Sequence, residues 1–143
     1  MAIDESLLEV RAYGGEGYMP LIDYGEWRVA VLRYADELLP QNIDNMQRHD
    51  ETDEVFVLLE GRCILFIGEG QEAVSAIHAQ DMQPLKLYNV KVGCWHTHTL
   101  SEDATVLVVE NRDTTLENSP RVLLNPAQRA KLADLTRDRW GVS

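Results

Sequence analysis

The sequence predicts a mostly β chain, a barrel or sandwich of short strands closed by one C-terminal helix. Short apolar runs recur at regular intervals, and glycine, proline or a polar cluster separates almost every pair of them. The hydrophobic period changes from strand-like to helical only after Asn125. With 143 residues, 45% of them hydrophobic and 26% charged, the chain suits a single domain, 1–143, with one sizeable core. Such a composition argues against a disordered or a fibrous protein.

The elements follow in order. Leu7–Ala12 is a first short strand candidate, closed by the loop Gly14-Gly15-Glu16-Gly17. Glu26–Tyr34 alternates and reads as a strand with one wetter face, ended by Leu38-Leu39-Pro40. Val55–Leu59 and Cys63–Ile67 are apolar on both faces, with a turn or bulge at Glu60-Gly61-Arg62 between them. Gly68-Glu69-Gly70 turns into Ala73–Ala79, Pro84 opens Leu85–Val92, and Gly93 separates it from Cys94–Leu100. Thr105–Val109 is again apolar on both faces, which predicts burial by the core inside and by another layer or subunit outside. The polar run Glu110–Thr115 reads as a turn that closes the barrel, with Arg112 near its mouth. Asn125 is a helix cap and Pro126 suits the first helical position, so a helix is predicted over about 125–140.

Charge narrows the partners. A formal net charge of −11 disfavours nucleic acid and anionic membrane surfaces, since phosphate repels such a protein. Residues 121–143 run the other way, with five basic and two acidic side chains, a solvated helix face or a tail that packs on the acidic body. No apolar run approaches the roughly 20 residues of a membrane span. The acidic start, Met1 to Ser6, lacks the basic region of a secretory signal. Two cysteines, Cys63 and Cys94, do not make a disulfide framework, so the cytoplasm is the expected compartment.

The residues with chemistry are concentrated. His49, His96 and His98 lie in two stretches, Gln47–Glu54 and Gly93–His98, while His78 stands alone in a strand as a structural or surface residue. Imidazole and carboxylate are good ligands for Zn, Fe, Ni or Mn. Residues two apart on a strand point the same way, so Gln47 and His49 can share one interior, as can His96 and His98. A loop returning Glu54 to that interior would complete a facial metal site.

His49, Glu54 and Gly61, spaced by four and six residues, resemble the first motif of the cupin superfamily, G-x5-H-x-H-x3–4-E-x6-G. Gly93-Cys94-Trp95-His96 resembles the core of the second, G-x5-P-x-G-x2-H-x3-N. The likeness covers about residues 26–111 and points to small single-domain bacterial cupins. It implies an antiparallel jelly-roll β-barrel, with metal ligands at His49, Glu54 and His96. The sequence departs from the motifs: Gln47 replaces the first histidine and Gln41 the leading glycine, and Leu85, Lys91 and Leu100 replace the glycine, proline and asparagine of the second. Gln47, through its amide oxygen, or His98 is then the candidate fourth ligand.

Each assignment has a plainer alternative. His49 amid Asp50, Glu51, Asp53 and Glu54 also fits a surface histidine, and His96 a satisfied core histidine. His98 is pocket wall or barrel exterior, and Trp95 lines or lids the pocket. Cys94 suits a small packed thiol better than a nucleophile. The function expected is a small-molecule cupin: a metal-dependent isomerase, lyase or dioxygenase acting on a sugar or small carboxylic acid. The alternatives are a metal-free sugar-nucleotide epimerase or isomerase with a histidine base, and a non-enzymatic metabolite-binding cupin. The doubly apolar strands predict a homodimer.

Overall fold

The structure, a computed structural model, describes residues 2–141. Two antiparallel five-stranded sheets face each other. The first has the order β1 (Gly17–Tyr24), β2 (Trp27–Arg33), β9 (Thr105–Asn111), β4 (Glu54–Glu60), β7 (Leu87–Val90). The second has the order β10 (Arg121–Leu123), β3 (Asn45–Gln47), β8 (Trp95–Leu100), β5 (Cys63–Glu69), β6 (Ala76–Asp81). Short 3₁₀ turns at Asp36–Leu38 and Pro40–Asn42 carry the chain from the first sheet to the second. The mostly β jelly-roll architecture with a C-terminal helix is the one the sequence predicted.

Alternation decides what fills the space between the sheets. Phe56 and Leu58 of β4 and Val106 and Val108 of β9 are almost wholly buried, and they meet Leu65 and Leu100 from the opposite sheet. Each inward row ends in an acid, Glu54 on β4 and Glu110 on β9. The antiparallel register that pairs Val55 with Val109 brings those two ends to the same place. One end of the interior is therefore packed hydrocarbon and the other is polar.

A second apolar cluster lies on the outer side of the second sheet. Met46, Ile64, Phe66, Ile77 and Trp95 pack there with Leu124 and Leu132, so the helix α1 (Pro126–Trp140) covers this face. The Asn125 side chain accepts from the Gln128 backbone N–H at 2.8 Å, and Gln128 Oε1 accepts from the Asn125 N–H at 2.9 Å. Gly141 ends α1 in the left-handed conformation. The helix thus explains why β5 is apolar on both faces. No such layer covers β4 and β9 among the described residues: Val55, Val57, Leu107 and Val109 are half-buried on the outer face.

Three expectations need correction. Leu7–Ala12 forms no strand; Leu7, Leu8 and Val10 are exposed, and this stretch pairs with no strand. The first strand is Gly17–Tyr24, whose internal Pro20 is tolerated because β1 is an edge strand with a bulge between Pro20 and Ile22. Glu110 and Asn111 continue β9 rather than starting a turn.

Gly61 shows why the β4–β5 connection needs glycine. It has φ +76°, and a Cβ there would sit 2.5 Å from the Ala104 Cα. Gly61→Ala is expected to destabilise the fold by about 2–3 kcal/mol, through left-handed strain and backbone contact together. The shift in the urea unfolding midpoint at unchanged slope measures it.

Candidate metal centre

The polar end of the interior opens as a cavity of about 850 Å³. His49 and His96 come to it from the second sheet, Glu54 and Glu110 from the first. His49 lies just beyond β3, in a loop tied down at several points. Its carbonyl accepts from the Gly93 N–H at 2.7 Å, and the Asn118 carbonyl accepts from the Asp50 N–H at 2.7 Å. The Asp53 carboxylate accepts from the Val92 N–H at 2.7 Å and from Asn89 Nδ2 at 3.0 Å. The two stretches singled out in the sequence are thus bonded directly to each other. Gly93, at φ +80°, makes the turn that permits it.

His49 Nε2 lies 3.0 Å and His96 Nε2 2.8 Å from Glu54 Oε1, and all three side chains are buried. The outer nitrogens determine what those contacts are. His96 Nδ1 is 3.0 Å from the Cys94 carbonyl, which only accepts, so Nδ1 carries the proton. Asn118 Nδ2 donates to the Asp113 carbonyl at 3.0 Å, leaving Oδ1 to accept from the Ser119 hydroxyl at 2.9 Å. With its proton committed, Ser119 Oγ accepts from His49 Nδ1 at 2.7 Å. In the neutral form each imidazole therefore turns a bare Nε2 lone pair toward one carboxylate oxygen. Such a triangle needs a cation at its centre, either a proton or a metal ion.

The spacing suits a metal. Ligand atoms bound at about 2.1 Å and at right angles stand about 3 Å apart. His49, Glu54 and His96 each offer one donor atom within 4.8 Å of the others. The donor set, two imidazole nitrogens held by acceptors behind them and a carboxylate, fits a divalent ion.

Charge follows the same arrangement. Burial would raise the Glu54 pKa, but a proton shared with His49 and His96 favours the carboxylate more and holds the carboxyl down at about 2. Burial would lower the His49 pKa, and the attraction of Glu54, then of Glu110 and Asp50, keeps it above the ordinary value. Glu110 is pushed up to about 6 by burial and by the neighbouring Glu54 charge. Its Oε1 is 3.5 Å from His49 Nε2 and has no hydrogen-bond partner, while Tyr18 donates to Oε2.

The other predicted site residues divide. His98 lines the cavity beside Phe56, with ring centroids 5.8 Å apart, and its buried Nδ1 has no partner. Burial and His96 push its pKa down to about 4, so it is neutral at pH 7. Gln47 lines the cavity half-buried, opposite His96 in the β3–β8 pairing. Trp95 does not line it. One residue from His96 on a strand, it points to the other face and packs under α1, with Nε1 donating to the Gln71 carbonyl at 3.1 Å. Cys94 is half-buried, and burial raises its pKa. Glu110, Tyr18, Asn118 and Ser119 were not singled out in the sequence. For Glu110 a signal was there: it continues the inward alternation of Val106 and Val108.

No protein-family model and no curated protein sequence matches the chain. Solved structures do. A tyrosine variant of Streptomyces Pac13 with uridine is 6% identical, with TM-score 0.56, over 83% of this chain and 87% of that one. Pac13 is described as a unique nucleoside dehydratase. CapF from Staphylococcus aureus, a capsular polysaccharide assembling protein, is 14% identical with TM-score 0.52, over 84% of this chain and 34% of CapF. At such identities the likeness is one of fold alone, a cupin-like antiparallel jelly roll. Among the described residues no helix is long and apolar enough to cross a membrane.

At alkaline pH, ¹⁵N imidazole shifts should report an Nδ1-protonated, Nε2-bare tautomer for both His49 and His96. Ser119→Ala should disturb that assignment at His49 and leave His96 as it is.

Proposed function

We propose that this protein is a metal-dependent cupin enzyme acting on a small, hydroxyl-rich molecule such as a sugar. The observation that carries the proposal is the pair of bare imidazole nitrogens turned on Glu54 at the floor of the cavity. His49, Glu54 and His96 would hold a Zn, Fe, Ni or Mn ion, the harder members favoured by the carboxylate. A bound divalent ion supplies Lewis acidity toward a substrate oxygen.

The chain's own residues supply the rest. The Cys94 carbonyl and the Ser119–Asn118 pair keep both imidazoles oriented. Phe56, Leu32, Val108, Leu38 and Ile43 supply the apolar part of the lining. His98, neutral and with Nδ1 unpartnered, is placed to take a proton or a hydrogen bond from a substrate hydroxyl. Four carboxylates, Glu37, Asp44, Glu54 and Glu110, line the cavity against one cation, Arg121. That balance favours a neutral polyol over the small carboxylic acid also considered. Isomerase, lyase and dioxygenase chemistry all remain within this frame.

His98 also supports a second reading, a metal-free epimerase or isomerase in which it is the base. A homodimer is inferred as well, from the half-buried outer row Val55, Val57, Leu107 and Val109. Sedimentation velocity at micromolar concentration should then give twice the 16.2 kDa chain mass.

Elemental analysis of protein purified without an affinity tag should find about one equivalent of Fe, Mn, Ni or Zn per chain. His49→Ala and His96→Ala should each abolish it while circular dichroism still reports the barrel. A chain that is empty and refuses added metal would sink the metal reading and leave the histidine-base one. Stoichiometric metal retained in either variant would refute the ligand assignment.

A further inference from the structure

We propose that Glu110 is the fourth protein ligand of this centre, completing a set of two histidines and two carboxylates in which Gln47 takes no part. The inference rests on the metal reading above and specifies its coordination. Glu110 has only 3% of its side chain exposed. Its Oε1 is buried without a partner and stands 3.5 Å from His49 Nε2, on the side of the bare lone pair. A carboxyl oxygen enclosed in this way without a partner is costly until a cation or a donor meets it.

The carboxylate is also aimed. The Tyr18 hydroxyl donates to Oε2, which leaves Oε1 as the oxygen directed at the histidines. Its strand, β9, is hydrogen-bonded on both sides, by β2 and by β4, so the side chain projects from the middle of a sheet. Gln47 differs on each count. It sits on the three-residue strand β3, and among the described residues no hydrogen bond orients its amide toward His49, Glu54 or His96.

Charge points the same way. Glu54 and Glu110 together match a divalent ion, so the loaded centre would be neutral inside the barrel. Two carboxylates also make the set harder than one built on imidazole, which favours Mn(II) and Fe(II). Arrangement across the fold is regular: each sheet contributes two ligands, and the ion would join the sheets at their open end.

The test titrates metal-free protein with Co(II), following visible absorption and calorimetry. Glu110→Gln, which keeps size and loses charge, should weaken Co(II) binding by at least about tenfold and shift the visible bands. Gln47→Ala should bind within about threefold of the native protein. Native binding in Glu110→Gln, or a loss carried by Gln47→Ala instead, overturns the assignment while leaving a metal centre in place. A native protein that takes up no Co(II) overturns this assignment and the metal reading together. Should Glu110→Gln fail to fold, Tyr18→Phe carries the test. Release of Oε2 should weaken Co(II) severalfold, and unchanged affinity overturns the proposal.

Discussion

A carboxylate sealed inside a β-barrel, with two imidazole nitrogens turned on it, is the constraint to which the rest of the structure answers. Glu54 is buried, and a buried charge costs several kcal/mol unless it is compensated. His49 and His96 reach Glu54 from the opposite sheet, and they compensate it only through a proton or a cation held between them. Neither imidazole can be neutral and a donor to Glu54 at once, because each has given its proton to an acceptor behind it. The site is therefore built around a missing positive charge. That is a property of the hydrogen-bond network, and it does not depend on any likeness to another protein.

The surrounding architecture serves to hold this arrangement in place. The packed end of the barrel, around Phe56, Leu58, Val106 and Val108, fixes the sheets at a separation that the polar end inherits. Asp53 and Gly93 bond the loop after β3 to the turn before β8, so His49 and His96 move together if they move at all. The helix lies on the far side of the second sheet. It removes Trp95, Phe66 and Ile64 from water and so backs β8, the strand that carries both His96 and His98, from the side away from the cavity.

The cavity is more acidic than the His49, Glu54 and His96 set alone implies. Glu110 adds a second buried carboxylate, and the exposed Glu37 and Asp44 also line the cavity, against Arg121 as the lining cation. A net negative lining repels anions. The structural likeness to Pac13 and CapF concerns the fold alone, since unrelated activities share such barrels.

The class of fold and the helix with its Asn125 and Pro126 start were legible in the sequence, as was the pointer to His49, Glu54 and His96, which the fold brings together, because each is encoded locally. Alternation, a capping box and a motif spacing act over a few residues and can be read there. It misjudged Leu7–Ala12, where apolar residues found no partner strand, and passed over Gly17–Tyr24, where Pro20 hid an edge strand. The three-residue strands β3 and β10 were too short to show a period. Only the tertiary structure decided which face of β8 meets the cavity, sending Trp95 under the helix and His98 inward. It alone joined Glu110 to Glu54, across more than fifty residues, through the register of β4 with β9. Convergence of that kind depends on pairing between distant strands, and no stretch of the chain records it alone.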